Sequence, residues 1–487
     1  MKRVATLAVM SALTVLATTT PAVAAPAAGA LSLGDRLYPA LGNGGYDATS
    51  YDVGYDYRPG VTTMTSSITM RARATQALSS FGLDSAGQQI TGVTVNGRQA
   101  AFRTQEKKLI VTPDRPLTRG LPFTVRVDYV ADRSKNPASP AVHLPPGTDW
   151  PIKAWVNTPD GFAFMGQPDR AHLFFPSNDH PSDKAVFTFR ITTPVDTTAV
   201  ANGTLVSRRT DGDRTTFVYR TAHPIPTDVT QVAVGRFHTI DQTGPHGLPI
   251  RSYITNTGDP SPMDDAARRT PGQVTWLEQA IGRPFPFERY GVLAVDSDYN
   301  GVALENPTLS TFSRYSLADT DEHQSPVMVH EITHQYFGDT VSVHNWDDMW
   351  LSEGHAMYYT NRYDDARGFR KMDDVMKDLC AADAETRSTE GPAAHLKSPA
   401  GVLFGTDAPG ALTLYGLHNL VGPQTFRRIE QTFYDTFRGR SASTQDYVDV
   451  ASKVSGKDLT DYFKSWLHGD TTPPMPGHPD WTSAAKP

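Results

Sequence analysis

The hydrophobic pattern changes about halfway along the 487-residue chain. In the first half, apolar and polar residues alternate with a period of two, as in Phe123–Tyr129 and Phe187–Ile191. Such alternation is typical of strands that bury one face. In the second half the pattern changes to that of helices. The sequence therefore predicts a multidomain chain in which an antiparallel β domain precedes an α+β, mainly helical domain.

Glycine-rich pairs and loops suggest where the strands turn and where the domains meet. Asn96–Gly97 and Asn202–Gly203 both predict hairpin turns, because both residue types accept a positive φ, and Asn202 also begins a glycosylation sequon. The loop Gly244–Pro249 is the predicted domain boundary. We divide the chain into a signal peptide (1–24), a β domain (25–245), a helical domain (246–472) and a Pro-rich tail (473–487).

Helices are predicted in several segments beyond this boundary, the second of which has Ser325 as its N-cap and Pro326 at its first position. Ser388–Pro409 is predicted to be a long irregular loop. The predicted helices are Pro271–Ile281, Ser325–Phe337, Arg370–Glu385, Ala411–Val421, Gln424–Tyr434 and Thr444–Val454.

The N-terminus has the layout of a secretory signal peptide. Lys2 and Arg3 precede the apolar run Val4–Ala17, and small residues follow up to Ala24. The apolar run is shorter than a bilayer requires, so we expect an exported, extracellular protein without stable membrane insertion. The formal charge of -7 gives no basic surface for nucleic acid, and the single cysteine excludes an internal disulfide. We expect a monomer.

A pair of histidines in the predicted helix after Ser325 has the spacing of metal ligands. His330 and His334 are four residues apart, so both imidazoles face the same side of a helix and can reach one metal ion. Glu331 lies beside that site and can hold a water molecule without binding the metal. This pattern predicts a metal site but does not by itself establish one.

A third ligand follows at Glu353, with eighteen residues between it and His334. Two histidines and one glutamate around zinc leave a position open for water, as in catalytic rather than structural sites. A structural site would require four ligands, usually including cysteine. Iron remains an alternative, but an iron oxygenase site does not require Glu331. The sequence therefore predicts one catalytic zinc ion per chain.

The surrounding sequence resembles a known family. HEITHQYFGDTVSVHNWDDMWLSEGHAMYY, from His330 to Tyr359, resembles the aminopeptidase N family of zinc metallopeptidases, whose hallmark is HExxH, eighteen residues and a glutamate. Asn300–Asn306 is similar to the family's Gly-x-Met-Glu-Asn segment. Phe164–Phe189 and Ile281–Leu293 are also similar to family segments. The resemblance covers nearly the whole mature chain.

The resemblance implies a β domain packed on a thermolysin-like catalytic domain. It implies that His330, His334 and Glu353 bind zinc and that Glu331 is the general base. The activity implied is that of a secreted aminopeptidase acting on peptides with a free N-terminus.

The resemblance also implies a substrate site. Glu305 would bind the free α-amine of the substrate, with Gln167 and Ala303 in the same pocket. Asn345 and Asp348 are candidate partners for the zinc-binding histidines.

One position departs from the family pattern. The family has a catalytic tyrosine three residues before a Gly-Ala pair, and here Asp407 stands three residues before Gly410. Tyr415 and Tyr315 are the candidate replacements. An ionised aspartate would repel the oxyanion that a tyrosine would stabilise. A catalytically weak zinc protein that binds peptide N-termini is therefore an alternative, as is a hydrolase of a non-peptide substrate such as an epoxide.

From the same resemblance we expect the large helical C-terminal domain of longer relatives to be absent. We therefore expect a short, bacterial-type member with an open active-site cleft.

Overall fold

The computed structural model of the protein describes residues 25–137, 153–296, 303–318 and 327–483. The predicted signal peptide and the predicted helix start at Ser325–Pro326 lie outside these residues, so both stay predictions.

The first half of the chain is built from strands, as predicted. They are β1 (Ala27–Ala28), β2 (Tyr46–Asp56), β3 (Thr63–Ala74), β4 (Leu78–Asp84), β5 (Gln89–Val95), β6 (Arg98–Gln99), β7 (Ala101–Gln105), β8 (Lys108–Thr112), β9 (Pro122–Asp132), β10 (Trp155–Thr158), β11 (Gly161–Phe164), β12 (Val186–Pro194), β13 (Thr198–Ala201), β14 (Thr204–Asp211), β15 (Arg214–Arg220), β16 (Val232–Gly235), β17 (Phe237–Thr243) and β18 (Pro249–Thr255).

Strands β1 to β16 form three sheets, and β17 and β18 belong to a fourth sheet described below. The largest has eight strands in the order β14-β15-β12-β2-β3-β9-β5-β6, antiparallel except for the β12–β2 pair. Strand β9 buries alternate residues, as its period-two pattern predicts. Aromatic contacts join this sheet to its neighbour β10-β11-β16-β13; the rings of Tyr55 and Phe164, for example, have centroids 5.8 Å apart. The third sheet has the order β1-β4-β8-β7.

The second half is mainly helical, with one mixed five-stranded sheet in the order β17-β18-β19-β21-β20. Its remaining strands are β19 (Val292–Val295), β20 (Ala303–Leu304), β21 (Ser310–Ser313), β22 (Ser342–Val343) and β23 (Ser441–Ala442). Its helices are α1 (Ser261–Arg268), α2 (Thr270–Leu277), α3 (Arg314–Ala318), α4 (Val327–His334), α5 (Trp350–Arg367), α6 (Met372–Thr389), α7 (Asp407–Val421), α8 (Pro423–Phe437), α9 (Thr444–Ser455) and α10 (Thr460–His468).

The predicted order, a β region followed by a mainly helical region, is confirmed. None of the helices in the described ranges combines the length and apolar character required to cross a bilayer.

One predicted turn is wrong, and the predicted domain boundary lies within a sheet. The loop Gly244–Pro249 is the turn of the β17–β18 hairpin, and both strands belong to the five-stranded sheet. The predicted boundary therefore falls inside that sheet, and the division into domains stays a prediction. Asn202–Gly203 is no hairpin turn, because β13 and β14 belong to different sheets.

The predicted irregular loop Ser388–Pro409 is shorter than expected. Helix α6 continues to Thr389, and α7 already begins at Asp407. The early start of α7 places Asp407 on a helix rather than in a loop.

Candidate metal centre and active site

Helices α4 and α5 bring three metal-ligand types together. His330 and His334 lie one turn apart on α4, and Glu353 lies in the first turn of α5. The Oε2 atom of Glu353 is 3.2 Å from Nε2 of His330 and 3.5 Å from Nε2 of His334. The three candidate ligand atoms all lie within 4.8 Å of one another. The structure therefore assembles the predicted triad from residues that are 23 positions apart in sequence.

These residues fit a zinc ion. Ligand atoms bound to one zinc at about 2.0–2.2 Å lie roughly 3.3–3.6 Å apart in a tetrahedron, close to the separations between Glu353 and the two histidines. Two imidazoles and one carboxylate leave a fourth position open, as in catalytic zinc sites. The electrostatics agree, since three glutamates, Glu305, Glu331 and Glu353, surround His334.

The pKa of His334 reflects this negative field. Burial lowers the pKa of its imidazole, but Glu353 and the other two glutamates outweigh burial and raise it to about 10. The pKa of Glu331 is raised well above its ordinary value, because burial outweighs the attraction of His334. Such a cluster of buried carboxylates requires a cation.

Ser352 orients one of the metal ligands. Its Oγ atom lies 2.9 Å from Nδ1 of His334, so that Nε2 is left to face the other two ligands. A Cβ added at Gly338 would lie only 2.3 Å from this Oγ, so any larger residue would push Ser352 away. Ser352 was not predicted from the sequence, although it directly precedes Glu353.

Asn345 and Asp348 do not contact the histidines, so their predicted role is wrong. Asp348 accepts hydrogen bonds from the backbone of Asn345 at 3.0 Å and from the backbone and hydroxyl of Thr444 at 2.7 Å each. These bonds tie the start of α5 to the start of α9. Asp348 therefore positions the helix that carries Glu353, and not the imidazoles.

Glu305 and Gln167 meet in the same site, although they are 138 residues apart in sequence. Nε2 of Gln167 donates to Oε1 of Glu305 at 2.5 Å, and both side chains are buried. Nε2 of Gln335, directly after α4, donates to the backbone oxygen of Glu305 at 2.7 Å. The segment that carries Glu305 is thus fixed to the metal-ligand helix.

A second set of contacts fixes this segment to the β region. The Nδ2 atom of Asn202 donates to the backbone oxygen of Pro307 at 2.8 Å, and Gly203 donates to the hydroxyl of Thr308 at 2.7 Å. Asn202 is fully buried, so it is not an accessible glycosylation site. The predicted hairpin turn therefore positions the Glu305 segment instead, a role that no local sequence signal indicated.

The metal-ligand triad, Glu305, Glu331 and Gln167 line a cavity of about 270 Å³. Ala303, the first residue of β20, lines it as well, as does Asp407 at the start of α7. The lining residues are Met165, Gln167, Ala303, Leu304, Glu305, Val327, His330, Glu331, His334, Glu353, Met357, Thr360, Leu403, Phe404 and Asp407.

No tyrosine of the described residues lines this cavity. The hydroxyl of Tyr415 donates to Asp373 at 2.9 Å and lies 2.8 Å from Nε2 of His478, near the C-terminal tail. Tyr315 is 57% exposed at the surface. Neither candidate replacement therefore reaches the site, and Asp407 occupies its edge.

Family models match both halves of the chain. Residues 266–466 match the Peptidase family M1 domain, and residues 159–229 match the Peptidase M1 N-terminal domain. The glutamyl aminopeptidase of Rattus norvegicus is 24% identical over 62% of this chain. Aminopeptidase N of Streptomyces lividans is 24% identical over 64% of it. The matched regions span only 33% and 40% of those longer relatives.

Solved structures match over almost their whole length. An M1 zinc metallopeptidase from Deinococcus radiodurans is 27% identical, with a TM-score of 0.77, and the match covers 91% of this chain and 99% of that one. A mutant of the Deinococcus radiodurans enzyme, bound to a Tyr-Ser-Ala substrate, gives a TM-score of 0.79 at the same identity and coverage. With two family models and a shared two-domain fold, the chain belongs to peptidase family M1, a family of zinc metallopeptidases.

Proposed function

We propose that the protein is a zinc-dependent aminopeptidase that removes the N-terminal residue of peptides. The observation that carries the proposal is the position of Glu305. Its carboxylate is buried in the wall of the metal-site cavity, within 4.8 Å of candidate ligand atoms of Glu331 and His334. A carboxylate fixed so close to the metal site favours a substrate whose charged amine lies next to the scissile bond. The Tyr-Ser-Ala peptide bound to a structural relative supports peptides as the substrate class.

Zinc, when bound by His330, His334 and Glu353, would polarise the scissile carbonyl and lower the pKa of a water molecule. Glu331 supplies the proton transfer. Its Oε2 atom is buried and has no hydrogen-bond partner among the described residues. The charge of a bound zinc ion would favour the ionised carboxylate despite its burial, so that Oε2 could accept a proton from the attacking water. The same carboxyl then donates that proton to the departing amine.

Glu305 fixes the register of cleavage. Burial raises the pKa of its carboxyl, which shows that the ionised form lacks full compensation even with the hydrogen bond from Gln167. The α-ammonium of a substrate supplies the missing charge. An N-acetylated substrate would leave the carboxylate buried and unpaired, at a cost of about 1–3 kcal/mol or more.

A catalytically weak zinc protein that captures peptide N-termini is the second candidate. The observation that favours it is that Asp407 lines the cavity, whereas no tyrosine of the described residues does. Loss of one oxyanion donor typically lowers the rate by about 100- to 1000-fold. The unpartnered Glu331 favours catalysis, because a binding protein has no use for a proton acceptor there.

We also propose that the protein is exported. The support is the sequence of residues 1–24, with its charged start, short apolar run and small residues before the cleavage point. Sequencing the N-terminus of protein secreted from a bacterial host checks this, and a start near Ala25 is expected.

Turnover of free and N-acetylated aminoacyl-coumarin reporters tests the proposed activity. The purified protein should contain one zinc ion per chain and cleave free reporters at least about 5-fold faster than acetylated ones, the ratio that corresponds to about 1 kcal/mol. Equal cleavage of both kinds would contradict the aminopeptidase assignment. Absence of turnover with one bound zinc would favour the binding protein.

A matched pair of variants tests whether Glu305 causes the preference for free over acetylated reporters. Glu305→Gln keeps the shape of the side chain and removes its charge, so KM for free reporters should rise while cleavage of acetylated reporters stays low. Glu385→Gln, an exposed change on α6, should leave both unchanged.

A further inference from the structure

Asp407 is brought into the cavity by the contact between two helices. Helices α5 and α7 touch where Gly354 meets Gly410, and a Cβ on Gly354 would lie 2.7 Å from the Cα of Gly410. This close approach places the first turn of α7 beside the first turns of α5. Asp407 opens α7 and therefore lines the same cavity as Glu353.

Among the described residues, the Asp407 carboxylate has no cationic partner. Its hydrogen bond comes from the backbone of Ala408, at 2.6 Å from Oδ1. The described lining of the cavity contains no lysine or arginine. Burial raises the pKa of the Asp407 carboxyl to about 7, with the nearby Glu353 adding to the effect. The ionised form is therefore poorly compensated within the protein.

Two of the other three carboxylates of the cavity have side-chain partners, and the third, Glu331, is the proposed proton acceptor. Glu353 lies beside both histidines, and Glu305 accepts a hydrogen bond from Gln167. In the proposed function Glu353 binds the metal and Glu305 binds the α-amine. Asp407 is left without an assigned counter-charge, so a second positive group of the substrate would complete the site.

The cavity that Asp407 lines also has apolar walls. Met357, on α5, and Leu403 and Phe404, before α7, line the cavity together with Met165. Phe404 is 43% exposed, which leaves its ring available to cover a ligand. Apolar walls that lead to a carboxylate suit an unbranched chain of methylene groups with a cationic end.

We propose that Asp407 selects substrates whose N-terminal residue is lysine or arginine. The methylene groups of that residue pack against Met357, Leu403 and Phe404, and its ammonium or guanidinium group pairs with the Asp407 carboxylate. This inference rests on the proposed function for the placement of the substrate. It explains why an acidic residue is retained in a cavity that already holds three glutamates.

Binding of free amino acids tests the inference without requiring turnover. L-lysine and L-norleucine have the same four-carbon unbranched stem, but only lysine has a terminal charge. Calorimetry on the zinc-loaded wild-type protein should show L-lysine binding at least about tenfold more tightly than L-norleucine. Equal affinity, or tighter binding of norleucine, would overturn the inference.

Reporter kinetics provide the second readout. The ratio of kcat/KM for lysyl- and norleucyl-coumarin should exceed about ten in the wild type and fall about tenfold in Asp407→Asn. The exposed Asp378→Asn change on α6 should leave the ratio unaltered. A ratio that Asp407→Asn does not change would overturn the assignment, even if the variant is slower on both reporters.

The outcomes separate the two proposals. Cleavage of norleucyl reporters without a preference for lysine would refute the role of Asp407 and leave the aminopeptidase proposal intact. No cleavage of any reporter, with one zinc bound, would refute the aminopeptidase proposal, and the calorimetric comparison would still decide the specificity. A lysine preference only at the second residue of dipeptides would contradict the inference as stated.

Discussion

Two groups of buried charged residues, one in the β region and one in the catalytic cavity, are built differently. In the β region, Lys108 donates to Asp84 at 2.5 Å, to the backbone oxygen of Gly42 at 2.8 Å and to Asn43 at 3.2 Å. The second oxygen of Asp84 accepts from Asn43 and from the backbone of Asp179. This β-region network, defined by these residues, therefore satisfies its lysine and both oxygens of its central carboxylate.

The cavity leaves polar atoms unsatisfied. The buried Oε2 of Glu331 has no partner, and Asp407 has only a backbone donor. An incompletely satisfied buried carboxylate costs free energy, and proteins retain such groups mainly where a ligand or a reaction uses them. The comparison teaches that the β-region network is complete within the protein, whereas the cavity leaves carboxylate oxygens for a ligand or a reaction. A missing hydrogen-bond partner alone does not identify a site, since the buried Oδ1 atoms of Asp169 and Asp383, outside the cavity, also have none among the described residues.

The largest expected effect is on catalysis. Glu331→Gln removes the proton acceptor but keeps the size of the side chain, so kcat for free aminoacyl reporters should fall by about 100- to 10,000-fold. Zinc content, measured by mass spectrometry, should stay at one per chain. Stability should not fall, because burial of the ionised carboxyl outweighs its attraction to His334. A large loss of stability would mean that Glu331 belongs to a structural cluster after all.

The next largest effect is on the β-region network. Lys108→Met leaves Asp84 buried without its cation, and the free energy of unfolding should fall by about 3–5 kcal/mol. Urea denaturation measures this. The neighbouring Lys107→Met provides the control, since Lys107 is exposed and lies 3.7 Å from Asp169; it should cost less than about 1 kcal/mol. Similar losses of unfolding free energy in both variants would show that the β-region network contributes no more than an exposed ion pair.

A pH-dependent effect is expected at Asp183, a buried neighbour of the network that accepts hydrogen bonds from Asn178 and from the backbone of Ala48. Burial outweighs these bonds and raises the pKa of Asp183 to about 7. A carboxyl with a raised folded-state pKa stabilises the fold at low pH, and this contribution is lost as the pH rises toward 7.

Asp183→Asn removes that titration. Between pH 5 and pH 8 the variant should gain about 2–3 kcal/mol of unfolding free energy relative to the wild type, as measured by urea denaturation at each pH. The exposed Asp211→Asn should change the unfolding free energy by less than about 0.5 kcal/mol at either pH. A pH-independent difference for Asp183→Asn would show that its carboxyl is ionised throughout this range.

The smallest effect concerns the orientation of a metal ligand. Ser352→Ala removes the nearer of the two partners of His334 Nδ1 and leaves the backbone oxygen of Phe337 at 3.3 Å, so zinc affinity should fall by about 10- to 100-fold. Competition with a chromogenic chelator measures the affinity. Ser207→Ala, on the exposed strand β14, should bind zinc as the wild type does. Unchanged affinity in Ser352→Ala would mean that packing alone orients the imidazole.

Much of the site could be predicted because its ligands are local in sequence or follow a fixed spacing. Two histidines four residues apart on a helix share a face whatever the rest of the fold, and the structure places both near Glu353. The resemblance to a known family added Glu305 and Gln167, which the structure brings into contact. Period-two alternation likewise predicted the β region.

Other residues could not be predicted because their partners lie far away in sequence. Asp348 bonds to Thr444, 96 residues later, and Asn202 bonds to Pro307, 105 residues later. Short-range signals read Asp348 as a histidine partner and Asn202 as part of a hairpin turn, and both readings are wrong. A polar side chain can satisfy its hydrogen bonds in many ways, and packing decides among them.

The sequence by itself determined the metal-ligand set and the order of the β and helical regions, because helical and strand periodicities depend only on local backbone geometry. The tertiary structure alone decided which buried charges are satisfied and which are left for a ligand. Gly354 and Gly410 show the reason, since the local sequence around neither residue indicates its part in helix packing. Their contact between α5 and α7 places Asp407 in the cavity. Such contacts depend on how whole elements pack, and no local pattern encodes them.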